Sequence, residues 1–115
     1  MNPGLNEAQL RIIRDVLTAE VDKIEKVAVF SSRAQGNHRP NSDLDLVCYG
    51  PIDETTIDRL WTLFQDSPLP FSVDVKSYRQ ISYARLRNHI DTAGRDLFIK
   101  TVENGQSILR ACVSD

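Results

Sequence analysis

Cysteine is scarce in this 115-residue chain: Cys48 lies within an apolar run and Cys112 stands far from it. Two such positions form neither a metal-type cluster nor the disulfide framework of a secreted mini-protein. Long apolar runs are missing too, and the opening Met1-Asn2-Pro3-Gly4 lacks the basic and apolar segments of a secretory leader. A cytoplasmic protein without a membrane span is the expectation. Histidine occurs only at His38 and His89, neither with a metal-ligating partner three or four residues away. Charge of one sign is not in surplus either, since 14 Lys and Arg against 16 Asp and Glu leave −2. With no helix-turn-helix pattern and no interleaved aromatic and basic residues, nucleic acid is not an expected partner.

What is present describes an ordinary globular fold. An apolar share of 41% beside 26% charged residues suits one domain over residues 1–115 with a core of its own. The charge is unevenly spread, however: residues 1–75 sum to −5 and residues 76–100 to +4. Opposed fields of this kind can hold cations on one wall of a cleft and phosphates on the other, and a charge run is also what a solvated helix face looks like.

No repeat or low-complexity tract interrupts the periodicity. After Asn6, the steps Leu10, Ile13, Leu17 and Val21 predict an amphipathic helix over about 6–22. Val27 to Phe30 reads as a buried strand, the stretch from Ser31 to Ser42 as a loop, and Leu44 to Tyr49 as a second strand ended by Gly50-Pro51. Asp53 is placed to cap a second helix with Ile57, Leu60, Trp61 and Phe64 as its apolar stripe. Phe71 to Val75 alternates as a third strand. The remainder, from about 80 to 103, looks helical with a break at Gly94 and with Tyr83, Leu86 and Ile90 turned inward; Asn104-Gly105 stops it, and Ile108-Leu109 adds a last short strand. The order predicts an α+β fold, a mixed sheet with helices packed on one side.

Three carboxylates interrupt strands that should be buried: Asp43 and Asp45 around Leu44, and Asp74 between Val73 and Val75. A side-chain period of two sends Asp43 and Asp45 to the same face, roughly 6–7 Å apart along the strand. With the third strand alongside, Asp74 joins them. Three such charges repel unless cations lie between them, and oxygen-only donors select a hard ion such as Mg²⁺ or Mn²⁺. Taken singly, each has a plainer reading: Asp43 can close an Asx-turn, and Asp74 can face solvent from a sheet edge. Upstream, Ser31, Ser32 and Arg33 follow the first strand directly, placing hydroxyls, amides and a guanidinium at a turn of the type that binds phosphate.

The run Val29-Phe-Ser-Ser-Arg-Ala-Gln-Gly-Asn-His-Arg-Pro-Asn-Ser-Asp-Leu-Asp-Leu-Val47 resembles the signature of the DNA polymerase β-like nucleotidyltransferases: Gly-Ser, ten residues, then Asp-X-Asp. It looks most like the minimal nucleotidyltransferases, in which Arg33, Ala34, Gly36, Arg39, Pro40, Ser42 and the paired Asp fall at the usual places and Asp74 matches the third carboxylate. One position departs, because Ser31 stands where that signature has glycine. A side chain there occupies space that the backbone uses to approach a triphosphate.

The resemblance implies a polymerase β-like palm fold and Mg²⁺-dependent transfer of a nucleoside monophosphate, AMP from ATP, to a hydroxyl. It gives Asp43, Asp45 and Asp74 to catalysis and metal binding, and Ser31, Ser32 and Arg33 to the nucleotide. It also implies a partner: a small all-helical HEPN-type protein in a hetero-oligomer, with this chain as antitoxin or catalytic subunit of the pair. Two other functions fit the same residues. One is an NTP-binding module with little or no activity that neutralises a partner by contact, which Ser31 favours. The other is a transferase acting on a small hydroxylated molecule.

Overall fold

The structure, a computed structural model, describes residues 4–30 and 43–112. Ser31, Ser32 and Arg33 lie outside them. The first helix, α1 (Glu7–Thr18), starts from a reciprocal cap: the Asn6 side chain accepts from the Gln9 N–H at 2.8 Å, and the Gln9 side chain accepts from the Asn6 N–H at 3.1 Å. It ends four residues earlier than the apolar steps predict, because the chain tightens into turns in which Glu20, Val21, Lys23 and Ile24 each donate to the residue three back.

Two antiparallel strands follow, β1 (Lys26–Phe30) and β2 (Leu44–Tyr49), the second matching its predicted bounds. Gly50 turns the chain out of β2 with φ +134°, where a Cβ would lie 2.2 Å from the Lys23 carbonyl oxygen, so glycine is required. The helix α2 (Glu54–Gln65) is capped as expected. Asp53 Oδ1 accepts from both the Thr56 N–H at 2.9 Å and the Thr56 hydroxyl at 2.8 Å. The backbone N–H, then the hydroxyl, hold the Asp53 carboxyl below its ordinary value. A lowered folded-state pKa stabilises above the unfolded value and is lost as pH falls through the folded one. Asp53→Ala should therefore lower the melting temperature at pH 7, and the gap to the parent should narrow as pH falls below the ordinary Asp value of about 3.9. A gap that keeps the same size across that range would refute the carboxylate's part in the cap.

The strand β3 (Val73–Ser77) runs parallel to β2, and a 3₁₀ turn (Tyr78–Gln80) leads to α3 (Ala84–Ala93). From there the chain departs from the helical expectation. Residues after Gly94 form β4 (Arg95–Glu103), paired with β1 and joined to β5 (Gln106–Ala111) by a two-residue turn at Asn104 and Gly105, both with positive φ. A register shift between Val27 and Ala28 explains the misreading. Val27 faces Phe98 and Ala28 faces Asp96, so Leu97 is an extra residue, and Leu97 and Phe98 are buried side by side. The bulge breaks the period of two and leaves a spacing that looks helical.

The five strands lie in the order β3-β2-β1-β4-β5, a mixed sheet in an α+β fold. Helices cover both faces, not one. On one face Ile13 and Leu17 of α1 and Leu60 and Phe64 of α2 meet Val27, Val29, Leu44, Leu46, Val73 and Val75. On the other, Ile90 and Leu86 of α3 meet Ala28, Phe30 and Val47. The two sets alternate along β1 and β2, as strands buried on both sides require. Trp61, expected in the α2 stripe, is 50% exposed, and Tyr83, expected to face inward before α3, is 62% exposed.

Candidate active site

The carboxylates are placed by strand parity. Leu44, Leu46 and Cys48 of β2 point into the α1/α2 core, which sends Asp45 and Val47 to the α3 face; in β3, Val73 and Val75 point to the core and Asp74 and Lys76 away from it. In the parallel register Asp45 lies directly beside Asp74, and across the antiparallel pair it faces Phe30, the residue that precedes Ser31. The structure therefore brings Asp45 and Asp74 together on one face, where the C-terminal end of β1 meets the first turns of β2 and β3. Asp43 stands just ahead of β2 and is exposed.

Asp74 has a counter-ion that reading the sequence passed over. Lys76 Nζ lies 3.1 Å from Asp74 Oδ2, with the two side chains 38% and 50% exposed. The signal was there: Lys76 is two residues from Asp74 in the same strand, so both share a face. A pair this exposed contributes little, and an incoming cation displaces it readily. Among the described residues no three His, Cys, Asp or Glu side chains stand grouped as a metal-binding set. The donor chemistry nevertheless suits a hard divalent ion. All three groups are carboxylates, two are neighbours in register, and oxygen donors of one charge are what Mg²⁺ and Mn²⁺ take.

The α3 helix closes the far end of this face. The Tyr78 hydroxyl donates to Asp91 Oδ1 at 2.7 Å, the Arg87 guanidinium lies 4.5 Å over the Tyr78 ring, and Tyr78 stacks on Tyr49 with centroids 4.6 Å apart. Lys26 Nζ caps the other side of Tyr49 at 4.5 Å. Burial, with Tyr78 and two carboxylates nearby, pushes the Tyr49 hydroxyl up. This stack joins the start of β1 to the ends of β2 and β3, at the opposite end of the face from Asp45. His89, on the flank of α3 turned away from Arg87, meets Phe30 edge-on at 6.4 Å and so borders the Asp45 end.

Comparison with known proteins agrees with the fold. The family model described as "Polymerase beta, Nucleotidyltransferase" matches residues 12–103. A chain of a toxin–antitoxin crystal structure with AMP-PNP is similar at 26% identity and a TM-score of 0.62, over 76% of this chain and 70% of that one. A chain of a mutant MntA–HpeT toxin–antitoxin is similar at 27% identity and a TM-score of 0.61, over 81% and 72%. A further MntA–HepT crystal structure, at 20% identity and a TM-score of 0.58, shares the fold. No curated protein sequence matches the chain significantly. With the family model matched from residue 12 to residue 103, this chain belongs to the polymerase β nucleotidyltransferase family, as a nucleotidyltransferase of the minimal type.

Proposed function

We propose that this protein transfers AMP from ATP to a hydroxyl group of a partner protein, as the antitoxin or catalytic subunit of a two-component pair whose other member is a small all-helical HEPN-type protein. The observation that carries the reading is the in-register pairing of Asp45 with Asp74 at the strand ends where the Ser31–Ser42 segment begins and ends. The toxin–antitoxin relatives, one of them crystallised with AMP-PNP, support the partner and the nucleotide.

In this reading Asp43, Asp45 and Asp74 would hold Mg²⁺ or Mn²⁺, and a bound divalent ion withdraws charge from the α-phosphate and from the pyrophosphate that leaves. Asp74 accepts the proton of the acceptor hydroxyl, whose oxygen then bonds to the α-phosphorus as the bond to pyrophosphate breaks. Ser31, Ser32 and Arg33, following β1, bind the β- and γ-phosphates and keep the leaving group in line. Lys76 shields Asp74 while no cation is bound.

Incubation with α-labelled ATP, Mg²⁺ and the protein encoded beside this one should label that protein. Label on a small hydroxylated acceptor alone, or none on either, would overturn the reading. Ser31→Gly restores the signature's glycine, and it should tighten ATP binding or raise the rate of labelling. A Ser31→Gly protein that is no more active would show that the Ser31 side chain fits the phosphate turn.

A further inference from the structure

Among the described residues the outer strand β5 has no neighbour on its far edge, whose direction follows from the hairpin. Its turn closes on the Glu103–Gln106 pair, and the Cys112 N–H donates to the Leu97 carbonyl at 2.8 Å. Ladder bonds in an antiparallel pair recur at every second residue, so Gln106, Ile108, Arg110 and Cys112 turn their backbone groups toward β4. Ser107, Leu109 and Ala111 therefore turn theirs outward. No proline, lysine or bulge blunts this edge, as edges that avoid pairing usually are blunted.

Beside the edge α1 stands off and leaves a groove. A cavity of about 500 Å³ is lined by Arg14 and Thr18 of α1 and by Ile108, Leu109, Arg110 and Ala111 of β5. A second, of about 240 Å³, shares Arg14 and Ala111 and continues to Leu10, Arg11 and Phe98, with Glu7 as its acidic wall residue. Arg110 is paired with Glu103, whereas among the described residues neither Arg11 nor Arg14 has an ion pair. The groove joins an apolar floor to a basic rim along the outer edge of β5.

We infer that this edge takes an extended acidic segment of a protein partner as a sixth strand. Outward N–H and C=O groups at alternate residues provide the main-chain bonds, and the groove takes every second side chain of the added strand. The arginines favour carboxylates in it. They also disfavour a second copy of this chain, because pairing β5 with β5 would bring both sets of arginines to one seam. The site is three strand spacings, roughly 14 Å, from β2 and borders the face opposite to Asp45 and Asp74.

The test needs no nucleotide, so its failure leaves the transfer reading untouched. The probe is a fluorescein-labelled decapeptide of alternating Glu and Val, beside an isomer with five Glu followed by five Val, both at low salt. The alternating peptide should bind about tenfold more tightly than the blocked one, and Arg14→Glu should weaken it about tenfold. Ala111→Pro, which removes one outward N–H and no ladder bond, should do the same. In the parent protein, hydrogen exchange should slow on binding at the Ser107, Leu109 and Ala111 amides. Equal affinity for the two isomers, no binding, no effect of Arg14→Glu, or protection elsewhere would overturn the proposal. Self-association of the chain alone that Ala111→Pro abolishes would also overturn it, giving the edge to a second copy.

Discussion

Asp45→Ala should lower the proposed AMP transfer by at least about a hundredfold while the chain still folds and melts close to the parent. Asp45 stands beside Asp74 in register, half-buried against the α3 face. Two carboxylates held side by side repel, and the exposed Lys76 pair on Asp74 offsets that only in part, so removing Asp45 should cost the metal-free state less than an ordinary half-buried deletion. In the proposed mechanism the same substitution takes away the carboxylate that stands in register with Asp74, and neither remaining carboxylate replaces it. Labelling from α-labelled ATP and a thermal melt without metal read the two consequences separately. Unchanged labelling would sink the carboxylate mechanism; lost labelling with a large drop in melting temperature would make Asp45 a structural residue.

Phe98→Ala should be the most destabilising of the single substitutions considered, by about 3–5 kcal/mol. Phe98 is 1% exposed, lies opposite Val27 in the ladder, and packs in the core formed with α1 and α2. For a domain of this size that is a large share of the total stability, a fall in melting temperature of roughly 15–30 °C. Urea unfolding followed by circular dichroism measures it directly. A loss below about 1 kcal/mol would mean that β4 does not pack on β1 in the way described.

The two substitutions also mark where the sequence was legible and where it was not. The strand carrying Asp45 was readable to the residue, since Leu44 to Tyr49 lies between a turn and Gly50-Pro51 and its apolar run is short. The α2 cap was readable for a local reason: an Asp side chain reaching the amide three residues on needs nothing from the rest of the fold. Phe98 lies in the part that was misread. The extra residue Leu97 puts two large apolar side chains next to each other, and only the partner strand makes that pair a bulge instead of a helix face.

Trp61 and Tyr83 were misplaced for a related reason. Both sit at helical spacings that suit an inward face, but Leu60 and Phe64, and then Leu86 and Ile90, already fill the width that the sheet offers. The bulk of neighbouring layers sets how wide an apolar stripe can be buried, and a single sequence does not contain that width.

By itself the sequence determined the class of fold, the family signature from Val29 to Val47, and the bounds of the strand that carries Asp45, because these rest on spacings within a few residues. Tertiary structure decided which strands are neighbours. The parallel register that sets Asp45 beside Asp74, the ion pair between Asp74 and Lys76, the helix α3 on the carboxylate face and the outer edge of β5 all come from contacts between segments distant in the chain. Such contacts form because each sheet face must be covered and each strand paired, conditions met by the whole chain together and by no segment alone.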